Sequence, residues 1–529
     1  MFRLLGIILV FIAANYSLLS QYPKILWWFD TFDSAYGQTA FDDVDGDGKY
    51  ELVFGCYRND SCVYVLNGED GSLKWRFNTT DYQEGCNDVA TLLFDINHDG
   101  ISEIFVPSSC NPFTYCLDGK NNSIIWKTTT KGSDSPPVLA DIDNDGKLEL
   151  LHGEFGGYVI CIDAETGSIK WEILVDDRSW IQTAPTVTDI NKDGYLDFVV
   201  STWQFDKKNS FYAYDGKTLE IMWKVDLNDY VYHGTALIDL NFDGYSDFVF
   251  GDYSGTLWAI NGKDGTIIWT HKAFSYIGAP VTVADLNNDG ICEIIFVSLY
   301  KIQCLDINGN LLWAFDELNY GNVFRGTVVS DIDLDGTKEV IFGSSSGILY
   351  ALDGINGSAK WTFNLSQHIE KDFDINHAPV IGDFNKDGFL DLFIVGGKTD
   401  YPDFSNNYGR AYCLEIGTGK EEWKMFQNNF HRSCGTCFNN SVSVKDLSLL
   451  EPTITFINGE LNIYNLNSQH QYHLQICDLL GNVILTDDIN EINYYKSFND
   501  LSYLYSNVLI ARLTNRKNNS QIVKKIVIL

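Results

Sequence analysis

Asp141-Ile-Asp143-Asn-Asp145-Gly146-Lys147-Leu-Glu149 and, 30 residues after its first Asp, the close of Val159-Ile-Cys-Ile-Asp-Ala-Glu-Thr-Gly-Ser-Ile-Lys-Trp171 decide the fold of this chain. The first element, D-x-[DN]-x-D-G-x-x-[DE], occurs eight times, beginning at Asp43, Asp95, Asp141, Asp189, Asp239, Asp285, Asp331 and Asp383. The spacings are 52, 46, 48, 50, 46, 46 and 52 residues. The second element recurs with it, its tryptophans being Trp75, Trp126, Trp171, Trp223, Trp269, Trp313, Trp361 and Trp423. Paired signals at a near-constant period mark a repeat architecture, because each unit needs its neighbours to bury its apolar surface.

Each unit reads as four short strands. In the fourth, Ala184–Ile190 precedes the acidic loop, and Asp197–Thr202, Ser210–Asp215 and Glu220–Val225 follow it. Alternation, β-branched residues and Gly/Asp turns support strands throughout, and no segment shows sustained helical periodicity. Four strands in about 50 residues is the period of a propeller blade. The expected fold is therefore all-β: an eight-bladed β-propeller over residues 21–440, followed by a small β-sandwich over 441–529. Ile25–Phe29 (ILWWF) copies the tryptophan strand ahead of the first unit, so it is a candidate to pair with the last blade and close the ring, although Glu421–Met425 offers that blade a tryptophan strand of its own.

The loops have the chemistry of cation sites. Positions 1, 3 and 5 carry oxygen side chains, Gly at position 6 permits a sharp turn, and position 9 is acidic in every copy. The candidate ligands are Asp43, Asp45, Asp47 and Glu51; Asp95, Asn97, Asp99 and Glu103; Asp141, Asp143, Asp145 and Glu149; Asp189, Asn191, Asp193 and Asp197; Asp239, Asn241, Asp243 and Asp247; Asp285, Asn287, Asp289 and Glu293; Asp331, Asp333, Asp335 and Glu339; and Asp383, Asn385, Asp387 and Asp391. Clustered hard oxygens select Ca²⁺, and clustered carboxylates repel one another without a cation. Up to eight structural Ca²⁺ ions are expected. An EF-hand is excluded: it needs Glu at position 12, where these loops have Phe54, Val106, His152, Val200, Phe250, Phe296, Phe342 and Ile394.

These loops resemble the FG-GAP and VCBS repeats of integrin-α-like propellers, over roughly residues 25–430. The resemblance implies structural Ca²⁺ in the loop that joins the first two strands of each blade. The tryptophan element, as in Leu349–Trp361, resembles the docking motif of quinoprotein-type propellers, which implies a Trp locking adjacent blades. No quinone-site constellation accompanies it.

The chain has 71 acidic and 37 basic residues in 529, a net charge of −34. That balance argues against nucleic acid and anionic lipid as partners, since both are held by Lys and Arg. From Ser441 onward there are 7 basic and 8 acidic residues, so the acidity belongs to the propeller. This last segment resembles the C-terminal sorting domain of the type IX secretion system, on the turn Asp478-Leu-Leu-Gly481-Asn482 and the closing Lys524-Lys525-Ile-Val-Ile-Leu529. The resemblance implies that machinery as a partner. The Pro-Asn-Pro of the pattern is absent; Glu451-Pro452 stands in its place. Residues 1–20 read as a secretory signal peptide, with Arg3 ahead of the apolar run Leu4–Ala14. The mature chain is expected to be secreted or held at the cell surface, with no membrane span. Export permits disulfides among the 12 Cys; Cys56/Cys62 and Cys110/Cys116 are close in sequence, Cys292 and Cys304 lie 12 apart on neighbouring strands, and Cys434/Cys437 have redox-motif spacing but no βαβ pattern around them, which favours a structural clip; connectivity is not readable.

No nucleophile, zinc or phosphate-loop motif is present. One pattern points to binding. Fourteen or fifteen residues after each loop's first Asp stand Tyr57, Phe155, Trp203, Tyr253 and Tyr300, with Ser109, Ser345 and Gly397 in the other blades. Strand direction puts this turn opposite the acidic loops, beside connections carrying Trp180, Tyr230, Tyr232, Tyr276, Tyr320 and Phe324, and beside the longest insertion, Gly397–Arg410. Aromatic platforms stack on sugars or anchor proteins, or else pack between blades. The leading expectation is a non-catalytic module for a glycan or protein. The alternative is a polysaccharide-degrading enzyme, for which Arg58, Arg178, Arg325, Arg410, His233 and His377 are the available charged or basic groups on that face. A redox quinoprotein is a third reading.

Overall fold

The computed structural model describes residues 23–79, 86–316, 321–400, 402–419 and 423–428, and seven strands between Thr453 and Val527. Residues 1–20, expected to be a signal peptide, and Tyr320, Cys434 and Cys437 lie outside the described residues.

Between Lys24 and Gly417 the described residues form eight four-stranded antiparallel sheets, one per sequence repeat. The first sheet comprises Ala40–Asp42, Glu51–Gly55, Cys62–Asn67 and Leu73–Asn78. The short first strands of neighbouring sheets lie side by side, and the tryptophan strands are outermost. The architecture is a β-propeller. Second strands such as Glu51–Gly55 and Glu149–Gly153 are buried at every position, because a sheet packs on each face. Outer strands alternate: in Leu73–Asn78, Leu73, Arg76 and Asn78 are the exposed or less covered positions and the remaining residues turn inward.

The outer tryptophans lock one sheet to the next. The indole Nε1 groups of Trp75, Trp126, Trp223, Trp269 and Trp313 donate to the carbonyls of Gly119, Ala164, Gly262, Ile307 and Gly354 in the following sheet, at 2.7–2.9 Å. Under Trp126 lies Gly167, at φ +73°, where an added Cβ would stand 2.7 Å from the indole. Only glycine is comfortable there, both in backbone conformation and in space.

Lys24–Thr31 pairs antiparallel with Tyr408–Gly417 and supplies the outer strand of the last sheet. Trp27 stands opposite Cys413, and its Nε1 donates to Gly68 O of the first sheet at 3.1 Å. Gln38 and Ala378 bridge the same two sheets at their inner edge. The competing expectation, an outer strand at Glu421–Met425, is corrected. Both edges of Tyr408–Gly417 are already taken, so Trp423 instead bridges Ile381 on the inner strand, 2 % exposed. An unpaired inner edge is thereby covered.

Three further departures are local. Leu365–Ile369 forms one helical turn, capped by Asn364, where no helix was expected. Ser179–Trp180 and Trp203–Gln204 form an extra two-stranded ribbon. The insertion continues its hairpin and ends in a 3-10 turn at Phe404–Asn406, tied to Asp33 by Asn407 Nδ2 and Thr399 Oγ1 at 2.9 and 2.8 Å. Cys110 bonds to Cys86 rather than to its sequence neighbour Cys116, and Cys56, Cys62, Cys116 and Cys304 are free and buried, so nearness in sequence does not set the pairing. The C-terminal strands form a three-stranded sheet (Thr453–Ile457, Glu460–Tyr464, Tyr494–Ser497) and a four-stranded one (Val483–Ile489, Tyr472–Cys477, Val508–Asn515, Gln521–Val527), all pairs antiparallel.

Candidate functional site

The acidic loops occupy one end of the propeller and share one hydrogen-bond frame. In each, Oδ2 of the first Asp accepts from the glycine N–H at position 6, as Asp141 does from Gly146 at 3.0 Å. The Asp at position 5 accepts from the N–H at position 7. The acid at position 9 accepts from the N–H at position 2. The residue at position 4 is left-handed throughout, including His98, Phe242 and Leu334 at φ near 60°. In the loops that begin at Asp43, Asp141 and Asp331 the frame brings carboxylates from positions 1, 3 and 9 together. Burial pushes the position-9 acids up: Glu103, Glu149, Asp247 and Glu339 to about 7, and Asp391 to about 8. The carboxylate oxygens of Asp43, Asp45 and Glu51, of Asp141, Asp143 and Glu149, and of Asp331, Asp333 and Glu339 lie within 4.8 Å of one another.

In those same three loops a lysine sits among the acids, which the sequence reading missed. Lys170 Nζ lies 2.8, 3.0 and 2.6 Å from Asp143, Asp145 and Glu149. Lys360 stands equally on Asp333, Asp335 and Glu339 at 2.9, 2.9 and 2.5 Å, and Lys74 on Asp45 and Glu51 at 2.5 and 2.9 Å.

At the opposite end the expected aromatic convergence is present as an unbroken run of ring contacts. Phe155 meets Trp180 at 4.9 Å between centroids, and Trp180 meets Trp203 at 6.1 Å. Trp203 stacks on Tyr230 at 4.0 Å and 7°; Tyr230 contacts Tyr253 at 4.2 Å, and Tyr253 stacks on Tyr276 at 5.1 Å. A branch runs from Trp203 through Tyr232, Phe324 and Tyr36 to Tyr57. All these rings are half-buried. Tyr300 contacts Phe274 instead. Tyr36, Phe205 and Phe404 join the array unpredicted, because they stand outside the repeated turn position. The rings lie on one another, so the array offers edges and hydroxyls more than free faces.

On the axis at this end Arg325 is a buried hub, 4 % exposed. It donates from Nε to Tyr36 O, from Nη2 to Asp88 O at 3.0 Å and from Nη1 to His233 Nδ1 at 2.8 Å. Four entering connections thus meet on one guanidinium. Burial, then the Arg325 charge, pushes His233 well down, so it is neutral and accepts; the same two causes take His377 down to about 3. Asp134 accepts from Gln182 Nε2 at 2.7 Å and is lifted to about 7 by burial and the charge of Asp88, with Arg325 opposing. Gln427, 2 % exposed, reaches Thr235 O at 3.0 Å. Arg58, Arg178 and Arg410 are elsewhere: Arg58 lies beside the Tyr57 ring, and Arg178 and Arg410 pair with Asp206 and Asp30. Near the insertion, Ser345, Ser366, Asp372, Asp374 and Lys398 line a polar cavity of about 360 Å³.

The profile of the family described as outer membrane protein assembly factor BamB matches residues 115–237 and 242–445. Polyvinylalcohol dehydrogenase of Sphingopyxis sp. is 26 % identical over 164 residues, 29 % of this chain and 23 % of that protein. Tetrathionate hydrolase of Acidithiobacillus ferrooxidans is 24 % identical over 172 residues, 30 % of each. The chain thus spans less than a third of the length of these relatives. Among solved structures, Sqt1 of Saccharomyces cerevisiae aligns with TM-score 0.54 at 12 % identity, over 75 % of this chain and 99 % of that one. The quinohemoprotein alcohol dehydrogenase ADHIIG of Pseudomonas putida HK5 aligns with TM-score 0.51 at 13 % identity, over 75 % and 77 %. At such identities these neighbours show the fold alone.

Proposed function

This chain belongs to the family described as outer membrane protein assembly factor BamB, and from that premise we propose that it is a calcium-stabilised, eight-bladed, non-catalytic propeller, secreted or displayed at the cell surface, that binds a protein through its aromatic end. The observation that carries the reading is the run Phe155–Trp180–Trp203–Tyr230–Tyr253–Tyr276. Large rigid rings at a half-buried surface anchor protein partners at small entropic cost. A sugar platform needs an open ring face, and here Tyr230 covers a face of Trp203 at 4.0 Å. That tips the choice from glycan to protein. Ca²⁺ in the FG-GAP-like loops would rigidify the far end, and residues 441–529 would serve as a type IX sorting sandwich.

The polysaccharide-lyase reading loses its main cation. Arg325 is buried and donates to two carbonyls and His233, so it is not presented to a substrate carboxylate. A quinone, which the name of the quinohemoprotein neighbour implies for that protein, does not fit the axis either. Pyrroloquinoline quinone is a flat tricarboxylate; the axis offers one engaged guanidinium beside Asp88 and Asp134, with Gln427 bonded across it. Half-buried carboxyl groups oppose such a ligand when ionised.

The test is capture from a cell-surface extract by full-length, Ca²⁺-loaded protein, alongside a glycan array. A protein partner held by the wild type and lost in Trp203→Ala/Tyr253→Ala, with unchanged circular dichroism, supports the proposal. Specific glycan binding, or capture indifferent to both substitutions, contradicts it.

A further inference from the structure

The eight loops fall into two classes, and the outer strands fall into the same two. Position 3 is Asp in the loops that begin at Asp43, Asp141 and Asp331, and Asn in the other five. The residue before the outer tryptophan is lysine in those same three sheets: Lys74, Lys170 and Lys360. In the other five it is apolar: Leu26, Ile125, Met222, Ile268 and Leu312. Leu26 enters this set because Lys24–Thr31 is the eighth sheet's outer strand. The two features assort together in all eight sheets.

Backbone geometry explains how the strand residue reaches the loop. The outer strand carries a bulge at this residue: Cys161 pairs with Trp171 and Ile162 with Ile169, leaving Lys170 as the extra residue. The bulge recurs at Lys74 and Lys360 and also at Leu26, Ile125, Met222, Ile268 and Leu312. A bulge re-aims its side chain, and here it aims at the acidic loop. Charge explains the pairing. With Asp at positions 1, 3 and 5 and an acid at position 9 the loop carries −4, and one ammonium brings it to −3. With Asn at position 3 the loop carries −3 without help. The extra carboxylate and the lysine therefore come and go as a unit.

Resting on the calcium reading above, we propose that three loops are filled by the protein's own lysine and take no metal, and that divalent cations enter only the five loops with Asn at position 3. The lysine occupies the point on which the loop acids converge, 2.5–3.0 Å from side chains that would otherwise be ligands. In the Asn class the acids lack that cation. Asp391, fully buried and set beside Asp383 and Asp387, leaves Oδ1 without a hydrogen-bond partner among the described residues, as Asp331 Oδ1 is left in one lysine loop, but the Asp391 sheet has Leu26, not a lysine, before its outer tryptophan. A carboxylate oxygen so placed is costly unless a cation meets it.

The test counts Ca²⁺ bound per full-length chain by equilibrium dialysis after chelation. Wild type should bind five. Lys170→Met and Lys360→Met should each bind six, since each frees a four-carboxylate loop. The double variant Asn97→Asp/Ile125→Lys should bind four, and it keeps the question answerable if the methionine variants fold poorly. Eight ions in the wild type would overturn the lysine assignment while leaving calcium binding intact. Five ions unchanged in all three variants would overturn the link between lysine and metal. No binding in any protein would overturn the calcium reading itself.

Discussion

Arg325 shows how a residue's surroundings decide its role. On a list of letters it is the cation a lyase would need; in the fold it is the joint at which four connections meet. Its removal strands two carbonyls and a histidine in a dry place, and such losses cost on the order of 3 kcal/mol. Arg325→Met is therefore expected to lower unfolding stability in urea by that order, and a change below about 0.5 kcal/mol would refute the hub. Asp134 supplies a pH test. Its folded pKa, about 7, lies above the ordinary aspartate value, so the folded state holds the proton more tightly than the unfolded chain. Stability from this group is present at acid pH and lost as pH rises from the ordinary aspartate range through about 7. Asp134→Asn should remove that part of the slope and leave the variant the more stable protein at pH 8. Parallel pH curves for the two proteins would contradict the assignment.

At the scale of elements, the lock between sheets is one indole over one glycine. Trp126→Phe keeps most of the apolar contact but loses the bond to Ala164 O, a cost of about 1 kcal/mol. Gly167→Ala should cost more, because it meets both a positive φ and the Trp126 ring at 2.7 Å. Equal stability of that variant and wild type in chemical denaturation would count against the lock. These elements were legible in the sequence because each repeat states them again: the acidic loop, the strand alternation and the tryptophan are local patterns printed eight times. What was not legible depends on which strand edge stays free. Trp423 has the letters of an outer strand, yet Lys24–Thr31 already fills that edge. The Cys86–Cys110 bond likewise joins residues brought together by the sheets, not by proximity along the chain. The lysines were readable, had position 3 of the loop been compared with the residue before each tryptophan.

For the molecule as a whole, closure and charge act together. The ring is sealed by its own N-terminal strand, which pairs with the last sheet and donates from Trp27 to the first. Trp27→Ala should cost about 3–5 kcal/mol and should expose the last sheet to proteolysis before the others. Chelation should act at the opposite end from any partner. Excess EDTA should lower the melting temperature by stripping ligands that bind only the folded loops, and added Ca²⁺ should restore it. The aromatic array was only partly legible: the repeated turn position predicts Trp203 and Tyr253, but Tyr36 and Phe404 come from non-repeating connections. The division of labour proposed is between an acidic-loop end that binds cations and stiffens the ring and an aromatic end that meets a partner. The most direct test of the cation-bearing end is an anomalous difference map from crystals of the full chain grown in Ca²⁺. Peaks are expected in the loops beginning at Asp95, Asp189, Asp239, Asp285 and Asp383, and lysine Nζ density in those beginning at Asp43, Asp141 and Asp331. Calcium peaks in the lysine loops, or none in the other five, would contradict that expectation.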